Sequence, residues 1–439
     1  MKKSAILRAA LFVAAAIFAT ATTYSHAQVV PGSLDPTFGS GGTSQVFVPS
    51  SSGLFPGGTA VQSDGKVLAI VRASGNAYPD VLIRLNTDGF IDPTFGSGGF
   101  VYLDWRNSNN ARGFPGPIAI ETVAGEERIV VAGSTPGGST TYRVDRFLSN
   151  GSPDPSFGTA GTVRLTSGYA DMMVIQPDGK ILTLGDVGTL NYMVRLNVNG
   201  TLDPAFGSGG IATLSQYTIQ PRSIALQANG RIIAAGYSQN NRGVIQVAVT
   251  RLNTNGSLDG GGKDDSTKGD SFGKGGTTTI DALPGGNAFD VKIDSAGRIV
   301  LGGTANNDFM VARLASGGQL DTSFGSGGTK TVDLTGLVDI ARKVHIQASG
   351  KIVLTGLANY NGSTGTVQST GLVRFNSNGS LDTSFGQAGK VVTDFSTGFE
   401  YVSESIVQID PICGCERIIA VGVVETGGLY SALAARYIL

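Results

Sequence analysis

Leu34-Asp-Pro-Thr-Phe-Gly-Ser-Gly-Gly42 is the phrase that decides the fold, because it returns in altered form at Ile91, Pro153, Leu202, Leu258, Leu320 and Leu381. Its phenylalanines (Phe38, Phe95, Phe157, Phe206, Phe272, Phe324, Phe385) are spaced by 57, 62, 49, 66, 52 and 61 residues, so one unit of 50 to 60 residues recurs seven times. Recurrence at that period is the mark of a repeat architecture and takes precedence over local propensity. The spacing of 66 contains a ten-residue insertion, Gly260 to Gly269.

A second phrase lies inside each unit, as in Val61-Gln-Ser-Asp-Gly-Lys-Val67, Ile175-Gln-Pro-Asp-Gly-Lys-Ile181, Leu226-Gln-Ala-Asn-Gly-Arg-Ile232 and Ile346-Gln-Ala-Ser-Gly-Lys-Ile352. Apolar alternation around Asp-Gly or Asn-Gly reads as a β-hairpin. The strand that follows ends at glycine in six units (Gly133, Gly185, Gly236, Gly303, Gly356, Gly422), with Val71 in the first, and such a glycine marks a close approach of neighbouring backbone. A third segment runs into turns such as Val194-Arg-Leu-Asn-Val-Asn-Gly200, and a fourth follows the Phe-Gly phrase. Four short strands per unit and seven units predict an all-β, seven-bladed β-propeller, in which each small sheet is covered by its neighbours. A parallel β-helix is the alternative, but its rungs are shorter and hold fewer hairpin turns.

The units are 34–89, 91–151, 153–200, 202–256, 258–318, 320–379 and 381–439, and residues 28–439 are read as a single domain. The array starts inside a unit, at strand Thr43 to Val48, and stops at Ala434-Ala-Arg-Tyr-Ile-Leu439, where a third strand ends. A 3+1 closure is therefore expected, the N-terminal strand completing the last blade. Ser431 to Leu439 is alanine-rich and favours helix by propensity, yet Arg436 keeps it in the register of the repeat.

Residues 1–27 have the parts of a secretory signal: basic Lys2, Lys3 and Arg8, an apolar run from Ala9 to Ala19, and small residues at Ser25 and Ala27. Cleavage after Ala27 and a secreted or periplasmic location are expected. No apolar run reaches the length of about 20 residues needed to span a membrane. Removing the segment takes three basic residues and no acid, shifting the formal charge from −1 to −4, which speaks against a nucleic-acid partner. His26 leaves with it, so His345 is the sole remaining histidine and Cys413 and Cys415 the sole cysteines. Histidine-rich metal sites and Ser-His-Asp or Cys-His catalysis thereby lose their residues.

Arginine recurs at Arg84, Arg146, Arg195, Arg251, Arg313 and Arg374, each followed eight positions later by aspartate: Asp92, Asp154, Asp203, Asp259, Asp321 and Asp382. Arg436 leaves Asp35 as the partner that ring closure would supply. A charged pair repeated in every unit is read as a structural cross-strand ion pair that holds register, since a binding site normally breaks a repeat. A second basic column (Lys66, Arg128, Lys180, Arg231, Arg298, Lys351, Arg417) and a polar one (Gln62, Glu121, Gln176, Gln227, Asp294, Gln347, Asp410) flank the hairpin turn and are read as hydrogen bonding across it.

Four features break the repeat. The insertion places Asp264, Asp265 and Asp270 on a glycine-rich loop, the oxygen donors calcium uses, although Lys263 and Lys268 oppose a cation and no EF-hand spacing is present. Cys413-Gly-Cys415 replaces the seventh hairpin turn, and a local disulfide, free or intermolecular thiols, and a redox or metal role are all open. His345 shares its column with Ala60, Val174, Ala225, Lys292 and Gln408, which reads as packing. Trp105 and the polar stretch Arg106 to Arg112 suggest an exposed loop.

The combined pattern, Gly-x-Leu-Asp-x-Ser-Phe-Gly-x-x-Gly followed by Gln-x-Asp-Gly-Lys-Ile and Val-x-Arg-Leu-Asn, resembles the bacterial delta-60 repeat family over residues 33–439. That resemblance implies a secreted or surface β-propeller and supplies no catalytic residues. Integrin-type calcium loops, sialidase boxes and quinoprotein tryptophans are absent from the sequence. The expected function is an exported, monomeric binding or scaffold protein that recognises a protein or glycan through blade loops, with no cofactor beyond the calcium candidate. The alternative is a hydrolase or lyase acting on polysaccharide or a lactone through a carboxylate pair, for which convergent, repeat-breaking acids at one channel mouth would be the sign.

Overall fold

The computed structural model describes residues 30–48, 53–74, 79–103, 105, 114–135, 141–165, 168, 170–187, 190–214, 219–262, 265–267, 269–360, 369–396, 398–411 and 413–439. They form strands β1 (Thr43–Phe47) to β28 (Leu429–Ile438), numbered in chain order, and contain no helix. The strands make seven four-stranded antiparallel sheets, the blades of a β-propeller. The first strand of each blade is innermost: β2 (Leu54–Val61), β6 (Phe114–Val123), β10 (Met172–Ile175), β14 (Ile219–Leu226), β18 (Asn287–Ile293), β22 (Val338–Ile346) and β26 (Glu400–Ile409). Each contacts the next, and β26 contacts β2, so the ring is closed around a central channel.

Closure is of the 3+1 kind. β1 pairs with β28 in register Thr43↔Ala435 to Phe47↔Ser431, so the seventh blade has the order β1-β28-β27-β26, with β27 spanning Glu416–Thr426. The alanine-rich stretch is strand because every second residue there is pressed between sheets: Ala435 and Tyr437 are fully buried, and such burial outweighs a helix preference of tenths of a kcal/mol per residue. Each sequence unit thus contributes its first strand to one blade and its other three to the next. Apolar clusters lie between blades, as where Ile233, Val249 and Phe272 of the fourth meet Ala288, Val291 and Leu301 of the fifth.

Antiparallel order sorts the connections onto two faces. Turns between first and second strands, and between third and fourth, emerge on one face and repeat from blade to blade, the latter carrying the Phe-Gly phrase. Connections between second and third strands, and between blades, emerge on the other and vary, from Ala305–Asp308 to Tyr360–Ser369. We call these the turn face and the loop face.

Candidate functional site

The turn face is occupied by the repeated charges. Each column arginine meets its aspartate through Nε, at 2.6 to 3.1 Å from Arg84–Asp92 round to Arg436–Asp35. The second basic column reaches the same aspartate oxygen, as in Lys66–Asp92 at 3.1 Å and Arg417–Asp35 at 2.9 Å. In every blade but the one with Asp259 the other oxygen accepts from the residue two positions on, Thr94 or Ser384 for example, and so caps its own turn. Each guanidinium also lies over the phenylalanine of the Phe-Gly phrase, 4.4 to 5.0 Å from the ring centre. Its Nη1 crosses to the following blade, where Arg146 donates to Val198 O at 2.6 Å and Arg251 to Ser316 O at 2.8 Å. The column arginines and their aspartates are spent on one another and on the next blade, so the wheel fastens blades together.

The polar column differs from the sequence alignment at one place. Gln408, not Asp410, stands opposite Arg417 and accepts from Arg436 Nη1 at 2.9 Å, as Gln62 does from Arg84, because the hairpin runs two residues further on each strand before it turns at Asp410 and Cys415. The blade-seven counterpart of His345 is therefore Ile406.

Trp105 is also corrected: it is 1% exposed, its Nε1 donates to Asp145 Oδ2 at 2.8 Å, and Arg143 stacks on it at 4.9 Å, so it fills the space between the first two blades. Residues 106–112 lie outside the described residues. In the insertion, Asp265 turns inward to accept from Asn253 Nδ2 and the backbone of Thr267 and Gly261, while Asp270 faces Arg231. Those two acids serve separate partners; Asp264 lies outside the described residues. Cys413 and Cys415 are joined as a disulfide.

The loop face leads into a cavity of about 390 Å³ in the channel, and its lining breaks the repeat. The physical reason is a β-bulge in the inner strands. Pairing slips between Pro221 and Ser223, Ala288 and Asp290, Ala341 and Lys343, and Val402 and Glu404. A bulge increases local twist and re-aims side chains. Next to the skipped residues Phe289, Arg342 and Ser403, the side chains of Asp290, Lys343 and Glu404 thus line the cavity from blades five to seven. The glycine column lies opposite: a Cβ at Gly236, Gly303 or Gly356 would run into the carbonyl oxygen of Gln220, Asn287 or Ile340. In the first blade Val71 replaces that glycine, and the inner strand supplies Gly57 and Gly58 instead.

Lys343 Nζ is 3.0 Å from Glu404 Oε2, and Lys292 Nζ 3.4 Å from Asp290 Oδ1. Asp290 also accepts from Ser223 Oγ at 2.9 Å and from the backbone N–H of Val291 and Val344, both at 3.0 Å. Burial would raise its pKa, but Lys292, Lys343 and these donors outweigh burial and hold the carboxyl below its ordinary range. Burial works against the Lys343 ammonium, and Glu404 and Asp290 overcome it, so Lys343 stays protonated. Protein surrounds both members of the Lys343–Glu404 pair, yet their side chains keep 18% and 21% of their surface open to the cavity.

His345 Nε2 and Ser405 Oγ are 2.7 Å apart, joining blades six and seven, and Ser405 also bonds Thr355. Burial, then Lys292 and Lys343, push the imidazole down to about 3, so it is neutral at pH 7. Across the channel, Asp171 is raised to about 6 by burial and by Asp186, against the pull of Arg222 and Arg72. Beside the lining residues Asp290 and Lys343, Arg342 lies 4.6 Å over Phe289 and donates to Tyr401 Oη at 3.3 Å, and Tyr401 stacks on Phe399.

Sequence reasoning missed this cluster. Its signal was present as charged residues at Asp290, Lys343 and Glu404, three successive blades, at one equivalent position where other blades have Gly58, Met172 and Ser223. Asp290 and Lys343 each lie four residues before the polar column, but Glu404 joins them only when Gln408 takes the place of Asp410, and the inward aim of all three comes from the bulge.

Six stretches of the chain, residues 62–95, 128–157, 176–206, 227–261, 297–324 and 347–385, match the model of a family described as "Domain of unknown function (DUF5122) beta-propeller". No curated protein matches the chain. Among solved structures, a polysaccharide lyase, Uly1, is 12% identical with a TM-score of 0.46, covering 90% of this chain and 99% of that one. A PQQ-bound aldose sugar dehydrogenase from Streptomyces coelicolor is 15% identical with a TM-score of 0.44, covering 76% and 98%. A protein from Lactobacillus plantarum is 11% identical with a TM-score of 0.46, covering 80% and 98%. Likeness at this level carries no information on chemistry. Six repeats matched by a propeller family model, on a chain that closes seven four-stranded blades, make this a propeller repeat protein.

Proposed function

We propose that this chain is an exported binding propeller of the delta-60 repeat kind, processed after Ala27, which takes a glycan chain end or a protein loop into the channel mouth on its loop face. One observation carries the reading: the charges that depart from the repeat, Asp290, Lys292, Lys343 and Glu404, converge on a cavity beneath the variable connections, whereas the repeated charges are consumed on the other face. Both signs of charge beside Phe289, Tyr401 and Arg342 suit a polar ligand with an apolar face, the character of a sugar or a peptide turn.

A hydrolase or lyase reading draws on Asp171 and Asp290, which line the same cavity with pKa values displaced in opposite directions. Binding is favoured because Asp290, 1% exposed, already accepts from four donors that hold it ionised and make it a weak base. The test is calorimetric titration of the chain from Gln28 onward with neutral and uronic oligosaccharides and with envelope protein fractions. Saturable binding that the R342A variant loses supports the reading. Turnover that D171N abolishes would replace it with the enzyme reading, and binding unaffected by R342A would remove the channel mouth as the site.

A further inference from the structure

The seventh inner hairpin turn is already closed by its main chain. Asp410 N–H donates to Cys415 O at 2.9 Å and Gly414 N–H to Asp410 O at 2.8 Å, much as Gln347 N–H donates to Lys351 O in blade six, where no cross-link is present. The bridge between Cys413 and Cys415 spans a single residue. Stabilisation by a cross-link grows with the loop it closes, so this is where a disulfide contributes least to folding. It is also accessible: Cys413 is exposed and Cys415 half-buried, on the turn face, away from the channel.

Chemistry beside the bridge favours reaction. Arg417 Nη2 lies 3.7 Å from Cys413 Sγ, and Cys415 N–H points at the same sulfur at 3.4 Å. A guanidinium and an amide donor at a sulfur stabilise its thiolate and make it the better leaving group. Arg417 holds Asp35 through a different atom, Nε, at 2.9 Å, so ring closure does not depend on the sulfur contact.

We propose that Cys413-Gly-Cys415 is a thiol–disulfide exchange site that oxidises a partner dithiol, independent of the channel and its ligand. A partner thiolate attacks Cys415 Sγ, a new S–S bond forms between them, and the Cys413–Cys415 bond breaks with the electron pair leaving on Cys413 Sγ beside Arg417. The partner's second thiolate then attacks its own sulfur in the mixed disulfide and releases Cys415 as thiolate. The partner loses two electrons and two protons and becomes a disulfide. Cys413 and Cys415 gain two electrons and, on protonation, become thiols.

The test equilibrates the processed chain in glutathione buffers, in which two monothiols replace the dithiol, followed by alkylation, mass measurement and circular dichroism. The bridge should reduce while the propeller stays folded, at a ratio of reduced to oxidised glutathione well short of the roughly thousandfold excess that a structural disulfide withstands. C413S should form a mixed disulfide with glutathione at Cys415. R417Q should slow exchange about tenfold at pH 7 and shift its pH profile upward, whereas D35N, which also loosens Arg417 but keeps the guanidinium beside the sulfur, should exchange at the wild-type rate. A bridge that survives the thousandfold excess, reduction only on unfolding, or equal rates for R417Q and wild type would each overturn the proposal.

Discussion

Arg436 donates through Nη1 to the backbone carbonyl of Thr87 at 2.7 Å, although 349 residues separate them. That bond joins the last blade to the first, and the same side chain holds Asp35 at the start of the closing strand. The ring is thus shut by a contact that five other blade boundaries repeat between residues 52 to 65 positions apart.

Removing it should therefore do more than the same change elsewhere. R436A leaves Asp35 with one cation, Arg417, and should cost about 3 kcal/mol or more, as breaking a buried pair does. Limited proteolysis should then cut in the segment after Phe47 faster than it does in wild type. Equal protection in both proteins would show that β1 is held by its strand pairing alone.

A glycine opposite a bulge should be irreplaceable. G356A places a methyl group against Ile340 O, which is backbone and cannot turn aside, so a loss above about 3 kcal/mol is expected in urea denaturation. G327A, where nothing lies near the added carbon, should cost less despite its positive φ of 61°.

The channel pair should matter more as a half than as a whole. E404Q leaves Lys343 with Asp290 alone of its two counter-charges and should destabilise by about 1 to 3 kcal/mol, channel water softening the loss. The double variant K343M/E404Q should recover most of it, while abolishing any ligand binding that needs the two charges. A double variant as unstable as the single would mean that the pair is not the dominant interaction of either side chain.

Acid should act through two groups of opposite sign. His345, about 3 in the folded chain against about 6.5 unfolded, is protonated first in the unfolded state, so stability falls by about 1.4 kcal/mol per pH unit as pH drops through that window. Asp171, raised to about 6, keeps its proton longer in the folded chain and so opposes that trend between about pH 4 and 6, weakly because it is open to channel water. D171N should steepen the acid limb and H345Q should flatten it, read from melting temperature against pH. Parallel curves for all three proteins would contradict both assignments.

Much of the architecture was legible because it repeats. Seven Phe-Gly phrases set the number of blades, and the truncated first unit foretold closure by β1. The glycine column was readable as a close approach, though not what approaches it. Trp105 misled because its polar neighbours suggested exposure, while Asp145 and Arg143, which bury it, lie about forty residues on.

What the residues alone determined is everything carried by periodicity: strands, turns, the Arg–Asp columns and their structural role, each a local pattern stated seven times. Only the tertiary structure decided which charges face the channel and which face carries variation. A bulge shifts pairing by one residue, and that shift leaves no mark in spacing until both strands are seen together. Asp290, Lys343 and Glu404 lie about 55 residues apart along the chain and meet only because the ring brings three successive bulges to one axis.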